Sequence, residues 1–342
     1  MTHRAPNALF ALLIIATIAV NGCASKDRLY SPTEAEKKLA EFCKKEGNID
    51  VFTRQVGRTE WIYVALAEPI FEVRAGSSPD QKETREPSPF SLLFLDGAYN
   101  VPTFSFSYDL VPDVLPQDPV GYGLGYNDNY TKKRQLIYQG LQQTFFNLAK
   151  DEETRAAAPN FFVIVAADIS KGIATKNILY LDDLKASLTD AIPYDEYYMR
   201  EVNSIFSDKN LIGDKTGRNL KYAEITWPFF LTEQIKTRIR FKFTQSDFPP
   251  KSDPDRAIIA IIANTMKLYP FSDFDSVDLH NLREKRDMTF SKEQLKTFEE
   301  QPLWSQDNGK LTVIKFRMPQ RPDEHQHAYE DEKPHELDPD AK

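Results

Sequence analysis

Apolar residues recur with the periods of helices and strands in three successive stretches of the chain. A helical pattern covers residues 31–47, 133–153 and 253–269, and two strand-like runs follow each helix: 49–56 and 61–73, 160–169 and 177–186, and 276–282 and 288–295. The first and third helices open with a capping residue and a proline, Ser31-Pro32 and Asp253-Pro254. We therefore predict an α+β fold, with a mostly antiparallel sheet built from about three helix–strand–strand units and inserted strands and loops.

The segments between these units carry patterns of their own. Residues 90–110 predict two strands, in which Phe104, Phe106 and Tyr108 alternate. This alternation is typical of one buried sheet face, although a groove for a partner or glycan is the other interpretation. Residues 194–206 predict a helix, 222–245 predict a strand pair with Phe241 and Phe243 alternating, and 310–316 predict a last strand.

The N-terminal pattern is different, because 13 nearly unbroken apolar residues run from Ala8 to Val20. A helix needs about 20 residues to cross the hydrocarbon core of a bilayer, so this run is too short. It follows a short N-terminus that carries Arg4 and no acid, and it ends in small residues. This order of positive, apolar and small residues predicts an export signal rather than an element of the fold.

The end of that signal, Val20-Asn21-Gly22-Cys23, resembles the lipobox of bacterial lipoproteins. The resemblance implies that a diacylglyceryl group is attached to the Cys23 thiol, that the chain is cleaved before Cys23, and that the new amino terminus is acylated. Several acyl chains would anchor the protein stably. Ala24 follows the cysteine, a pattern similar to that of lipoproteins sorted to the outer membrane. The expected location is therefore the cell envelope, on the outer membrane and facing the periplasm.

These patterns together divide the chain into six segments. The predicted segments are a lipoprotein signal peptide (1–22), a tether (23–30), a first unit with inserted strands and a loop (31–130), a second unit with an inserted helix and strand pair (131–250), a third unit with the last strand (251–318) and an acidic tail of disordered composition (319–342).

Charge and cysteine content narrow the function classes. The formal net charge is −8, and the tail from Pro319 holds eight acids and three bases. The rest of the chain has no basic cluster, so we predict no nucleic-acid partner. The chain has two cysteines. If Cys23 is lipidated, Cys43 has no partner within the chain, and a hydrophobic core rather than a disulfide must stabilise the fold.

The sequence offers only weak candidates for catalytic residues. No G-x-S-x-G, H-E-x-x-H, P-loop, Ser-x-x-Lys or Cys-x-x-Cys motif is present. Asp278 and His280 share a face of a predicted strand and could form an acid–base pair, although an exposed polar strand face is the alternative. Asp182 and Asp183 are adjacent carboxylates, a pattern more typical of the start of a short helix. We predict no metal and no cofactor.

The leading expectation is a non-catalytic binding or assembly module, attached to the membrane through lipidated Cys23. Binding residues concentrate on loops that a rigid scaffold carries. Tyr122 and Tyr126, in the Pro- and Gly-rich insertion 111–130, are therefore the candidate contacts for an envelope protein partner. Two alternatives stay open: an envelope hydrolase that uses acidic residues, and a ligand-capturing lipoprotein of a transport system.

The lipid attachment site leads to a direct prediction. Cells grown with a clickable fatty acid should label the wild-type protein and not the Cys23→Ala variant, because the thiol is the acceptor of the lipid. Labelling is measured by in-gel fluorescence after immunoprecipitation. Label that persists on the Cys23→Ala protein would show that the assignment is wrong.

Overall fold

A computed structural model describes residues 29–73, 90–112, 124–149, 151–243, 253–298, 304–307 and 310–313. The predicted signal peptide, the lipidation site Cys23, the candidate contact Tyr122 and the acidic tail lie outside the described residues. Within the described ranges, no helix combines the length and the hydropathy that a membrane crossing requires.

The described helices and strands follow the predicted order along most of the chain. The helices are α1 Pro32–Gly47, α2 Asp128–Phe145, α3 Glu152–Ala157, α4 Leu181–Leu188, α5 Tyr194–Arg200, α6 Trp227–Phe243, α7 Pro254–Lys267 and α8 Lys292–Leu295. The strands are β1 Val51–Val56, β2 Thr59–Leu66, β3 Phe71–Val73, β4 Phe90–Asn100, β5 Thr103–Pro112, β6 Leu124–Tyr126, β7 Phe161–Asp168, β8 Ile173–Tyr180, β9 Val202–Ser207, β10 Ser276–Asn281, β11 Arg286–Ser291, β12 Trp304–Asp307 and β13 Lys310–Val313.

The strands form two main sheets that share one plan. Sheet one has the order β1-β2-β7-β8-β9, and sheet two has the order β11-β10-β5-β4. Neighbouring strands are antiparallel, except that β2 pairs with β7 and β5 pairs with β10 in parallel. Each sheet therefore contains two hairpins joined by one parallel pair, and in sheet one β9 adds a fifth strand beside β8. The α+β class with mostly antiparallel strands is confirmed.

The predicted helix–strand–strand units are present as α1-β1-β2, α2-β7-β8 and α7-β10-β11, with α3 inserted in the second. Capping residues and a turn glycine set the ends of the elements in the first unit. Ser31 and Glu34 form the predicted capping box, and Asn48 ends α1 in the left-handed conformation. Gly57, with φ +57°, makes the two-residue turn between β1 and β2.

The inner strands of sheet one are buried on both faces, and every position of β7 is buried. One face packs against α1 and α2; its core includes Ile62, Val64, Phe162, Ile164, Leu39, Cys43 and Leu141. The other face shares a core with α6, α7 and sheet two; that core includes Tyr63, Phe161, Val163, Phe230, Ile235, Ile258, Phe104 and Phe106. The two sheets and their helices thus form one body in which sheet one separates two apolar cores.

The predicted strand pair at 222–245 is wrong, because residues 227–243 form the helix α6. Leu231, Ile235 and Ile239 lie four residues apart and are fully buried. Their period is that of a helix, whereas the alternation of Phe241 and Phe243 suggested a strand. Burial of each large side chain contributes about 1.5–3 kcal/mol, which exceeds the intrinsic helix propensity differences of less than about 1 kcal/mol.

Two other predicted elements change type partway along. The helix expected at 194–206 ends at Arg200, and the remainder forms β9. The strand expected at 177–186 ends at Tyr180, where α4 begins. In both places one predicted element spans two observed ones, and periodicity alone does not locate the boundary between them.

Strands from the predicted ranges 31–130, 131–250 and 251–318 pair with one another. Strand β2 of the first range pairs with β7 of the second, and β5 of the first pairs with β10 of the third. The parallel pairs therefore connect the three ranges into one body.

Candidate functional site

The outer face of sheet two carries small polar side chains. Phe104, Phe106 and Tyr108 are fully buried on the inner face, as predicted for this alternation. The alternate residues of β5, including Ser105 and Ser107, therefore lie on the outer face. The parallel register places Ser105 opposite Asp278 and Ser107 opposite His280.

Asp278 and His280 share this outer face, as predicted, but they do not form a pair. The Asp278 carboxylate accepts a hydrogen bond from the Thr289 hydroxyl at 2.7 Å. His280 instead lies between two other side chains: its Nδ1 is 2.8 Å from Asp287 Oδ1, and its Nε2 is 3.1 Å from Ser105 Oγ. We call Ser105, His280 and Asp287 the hydroxyl–imidazole–carboxylate line.

One tautomer of His280 satisfies both of these contacts. An ionised carboxylate only accepts hydrogen bonds, so Nδ1–H donates to Asp287. Nε2 then carries the lone pair and accepts the Ser105 O–H. Sequence reasoning missed Ser105 and Asp287, because Ser105 is 175 residues from His280 and meets it only through the parallel pairing of β5 with β10.

Asp182 and Asp183 lie in the first turn of α4, the short helix predicted there. Asp182 is exposed and accepts a hydrogen bond from the Tyr180 hydroxyl at 2.9 Å. Asp183 is buried, and it pairs with Arg200 at 2.7 Å and accepts the Tyr269 hydroxyl at 2.9 Å. Burial raises the pKa of Asp183, and the Arg200 contacts oppose that rise.

The Asp183–Arg200 pair belongs to an internal ion-pair network. Glu196 accepts from both Arg200 and Arg238, which joins α5 to α6. The arginines hold the pKa of Glu196 below its usual value despite its burial. Asp183 therefore has a structural environment, and neither it nor Asp182 shares a described contact with Asp278 or His280.

Tyr126, the described member of the predicted contact pair, is part of the fold. Its ring stacks on Phe71 with centroids 5.3 Å apart and lies 5.2 Å from the ring of Tyr130. It packs against the core between sheet one and the helices α1 and α2. A partner contact through Tyr122 and Tyr126 stays a prediction, and replacement of Tyr126 would disturb internal packing.

The outer strand β9 of sheet one offers an open edge. It pairs with β8 alone among the described strands, and Ile205 is 59% exposed. Its sequence, VNSIFS, contains no charge and no proline. The other outer strands differ: β1 carries Arg54, β11 carries Arg286 and Asp287, and the pairing of β4 shifts between Leu92 and Phe94. Charges and bulges protect an edge from pairing with another chain, and β9 has neither.

A carboxyl pair, the partly buried Glu36 and the buried Glu60, lies between α1 and β2. Glu60 is fully buried, and neither of its carboxylate oxygens has a hydrogen-bond donor in the described structure. Burial, and then the neighbouring Glu36 carboxyl, raise the pKa of Glu60 to about 9, and the nearby Arg54 backbone opposes this rise. Glu60 therefore keeps its proton at neutral pH and can donate a hydrogen bond to the Glu36 carboxyl.

Within the described residues, no group of three or more His, Cys, Asp and Glu side chains is placed to hold a metal ion. Comparison of the chain with protein-family models, curated proteins and solved structures finds no match. A functional assignment therefore rests on the geometry of the chain itself.

The Glu36–Glu60 pair predicts an unusual pH dependence of stability. In the unfolded chain Glu60 ionises above about pH 4.5, whereas in the folded chain it keeps its proton up to about pH 9. Its contribution to stability is therefore complete at acid pH and is lost between these values, by about 1.4 kcal/mol per pH unit. The Glu60→Gln variant should be more stable than the wild type at pH 8, by about 2 kcal/mol or more, and similar to it at pH 4.5.

Urea unfolding of both proteins at the two pH values tests this prediction. Glu46→Gln, an exposed carboxyl at the other end of α1, is the matched control and should change stability little at either pH. Destabilisation by Glu60→Gln at pH 8 would mean that Glu60 is ionised and paired in the folded protein.

Proposed function

We propose that this protein is a lipid-anchored module of the cell envelope that binds an extended segment of an envelope protein partner along β9. The observation that supports the proposal most strongly is the open, uncharged edge of that strand. An exposed row of backbone N–H and C=O groups can add another chain as a further strand. Main-chain hydrogen bonds would supply affinity, and Ile205 would supply an apolar contact.

Contacts at both ends hold β9 in place before any partner arrives. Just before the strand, Arg134 pairs with Glu201 at 2.7 Å, and the Gln234 amide donates to the Arg200 carbonyl. Just after it, the Asp208 N–H donates to the Gly172 carbonyl at 2.8 Å. A preformed edge costs less conformational entropy to bind than a flexible segment does.

The N-terminal segment supports a position near the membrane. Tyr30 is fixed to the body, because its N–H donates to the Asn147 carbonyl at 2.8 Å and its carbonyl accepts from Ala149 at 2.9 Å. Only the eight residues from Cys23 to Tyr30 separate the proposed lipid from this point. Fully extended, they span about 27 Å. Lipidation would therefore keep the body of the protein at the bilayer and the partner within the envelope.

The carboxylate-based hydrolase has less support than the binding role. Asp182, Asp183 and Asp278 take different partners on different elements, and no described contact brings any two of them together. Two cooperating carboxylates would have to flank one substrate.

The test is a photo-crosslinking scan in cells that produce the full-length protein. A photoreactive amino acid is placed at Asn203, Ser204, Ile205 and Phe206 in turn. Strand addition predicts crosslinks to one envelope protein with adduct sites that advance along a single partner segment. Crosslinking from Ser204 should fall at least tenfold when Ile205→Lys is added, because a charge on the edge opposes pairing.

Ile212→Lys is the matched control, since Ile212 is 56% exposed but lies outside the sheets. It should leave the crosslinks unchanged. Crosslinks that survive Ile205→Lys, or that join two copies of this chain, would contradict the proposed partner site.

A further inference from the structure

We propose that Ser105, His280 and Asp287 form a nucleophilic site that cleaves carboxylic esters. The three side chains lie on three adjacent strands, β5, β10 and β11, and on one face of sheet two. The two contacts of His280, 2.8 Å to Asp287 and 3.1 Å to Ser105, give a nucleophile, a base and a group that orients the base.

The sheet holds these groups in fixed positions. Asp287 lies directly opposite His280 in the antiparallel register, and Ser105, on the parallel strand, lies opposite Asp278, two residues before His280. On the inner face, Phe104, Phe106 and Leu279 are fully buried and keep β5 and β10 in register. Functional groups on strands are placed more accurately than groups on loops.

A purely structural role explains the contacts less well. Asp287 is 82% exposed and His280 is 34% exposed, and a polar contact between exposed side chains contributes little to stability. The Thr289–Asp278 hydrogen bond on the same face shows that β10 and β11 have another side-chain link besides it. Loss of the His280 contacts should therefore leave the fold intact, which makes the site testable by substitution.

The reaction follows from the tautomer of His280. Ser105 Oγ forms a bond to the ester carbonyl carbon while its proton passes to Nε2, and Nδ1–H stays bonded to Asp287. The C–O bond to the alcohol then breaks, and the alcohol takes the proton from Nε2. Water attacks the acyl–Ser105 ester and gives its proton to Nε2, and release of the carboxylic acid restores the serine with the same proton.

The position of the site indicates the kind of ester. A sheet face that is open at His280 admits an acyl group carried on a large molecule as readily as a small one. The same openness leaves water around Asp287, so electrostatic stabilisation is screened and the acceleration should be modest. We expect it near the lower end of general-base catalysis, about 100-fold.

The experiment uses the full-length protein with two probes, p-nitrophenyl acetate and a fluorophosphonate. Mass spectrometry should locate the phosphonate adduct on Ser105. Ser105→Ala should abolish the adduct and lower ester hydrolysis about 100-fold, and His280→Ala should slow both reactions similarly. Free imidazole should restore labelling of His280→Ala, a rescue that a structural role would not give. Asp287→Asn should lower the rate by a smaller factor.

Thr289→Ala, on the same face but outside the line, is the control and should keep full labelling. Thermal unfolding of each variant identifies any loss of fold. Absence of a Ser105 adduct in the folded wild-type protein, or labelling that is unchanged by His280→Ala, would overturn the proposal. A rate of ester hydrolysis that Ser105→Ala leaves unchanged would also overturn it. None of these outcomes bears on β9, which belongs to sheet one.

Discussion

The parallel pair at the centre of each sheet is the constraint on which the rest of the structure depends. A hairpin alone has two open edges and one apolar face, and it is marginally stable in water. In sheet one, β2 meets β7 over eight residue pairs, and in sheet two β5 meets β10 over six. Each pair joins hairpins that are far apart in the chain. The two sheets and the two cores exist only when these non-local contacts form.

Burial follows from that arrangement. Strand β7 lies inside sheet one, so both of its faces are covered and its sequence is apolar from its start to the residue before Asp168. The helix α7 is buried along most of its length, since it shares the core between the sheets. The outer strands, in contrast, lie at the edges of the sheets. Among the described strands each pairs on one side only, and three of these four outer strands bear a charge or a shifted register, whereas β9 bears neither.

Local features of the sequence predicted much of the fold, and non-local ones did not. The capping box at Ser31, the Asp253-Pro254 helix start and the Gly57 turn each act within a few residues, so their elements were predicted closely. The helix α6 was missed because its aromatic and β-branched residues satisfy two periods, and only the core selects one. His280 was a visible candidate, but its partners are set by strand register. The burial of Glu60 depends likewise on the packing of α1 over β2, which no local pattern reveals.

The proposed binding role requires β9 to be a rigid edge with one unpaired side in the isolated protein. Residue-resolved hydrogen–deuterium exchange on the purified protein measures this directly. Because β7 has neighbouring strands on both sides, its amides should exchange slowest in sheet one. In β9, amides directed at β8 should be protected, and the alternate amides directed at solvent should exchange fast. Uniform protection along β9, equal to that of β7, would show that the edge is already occupied and would contradict the proposed binding of a partner strand there.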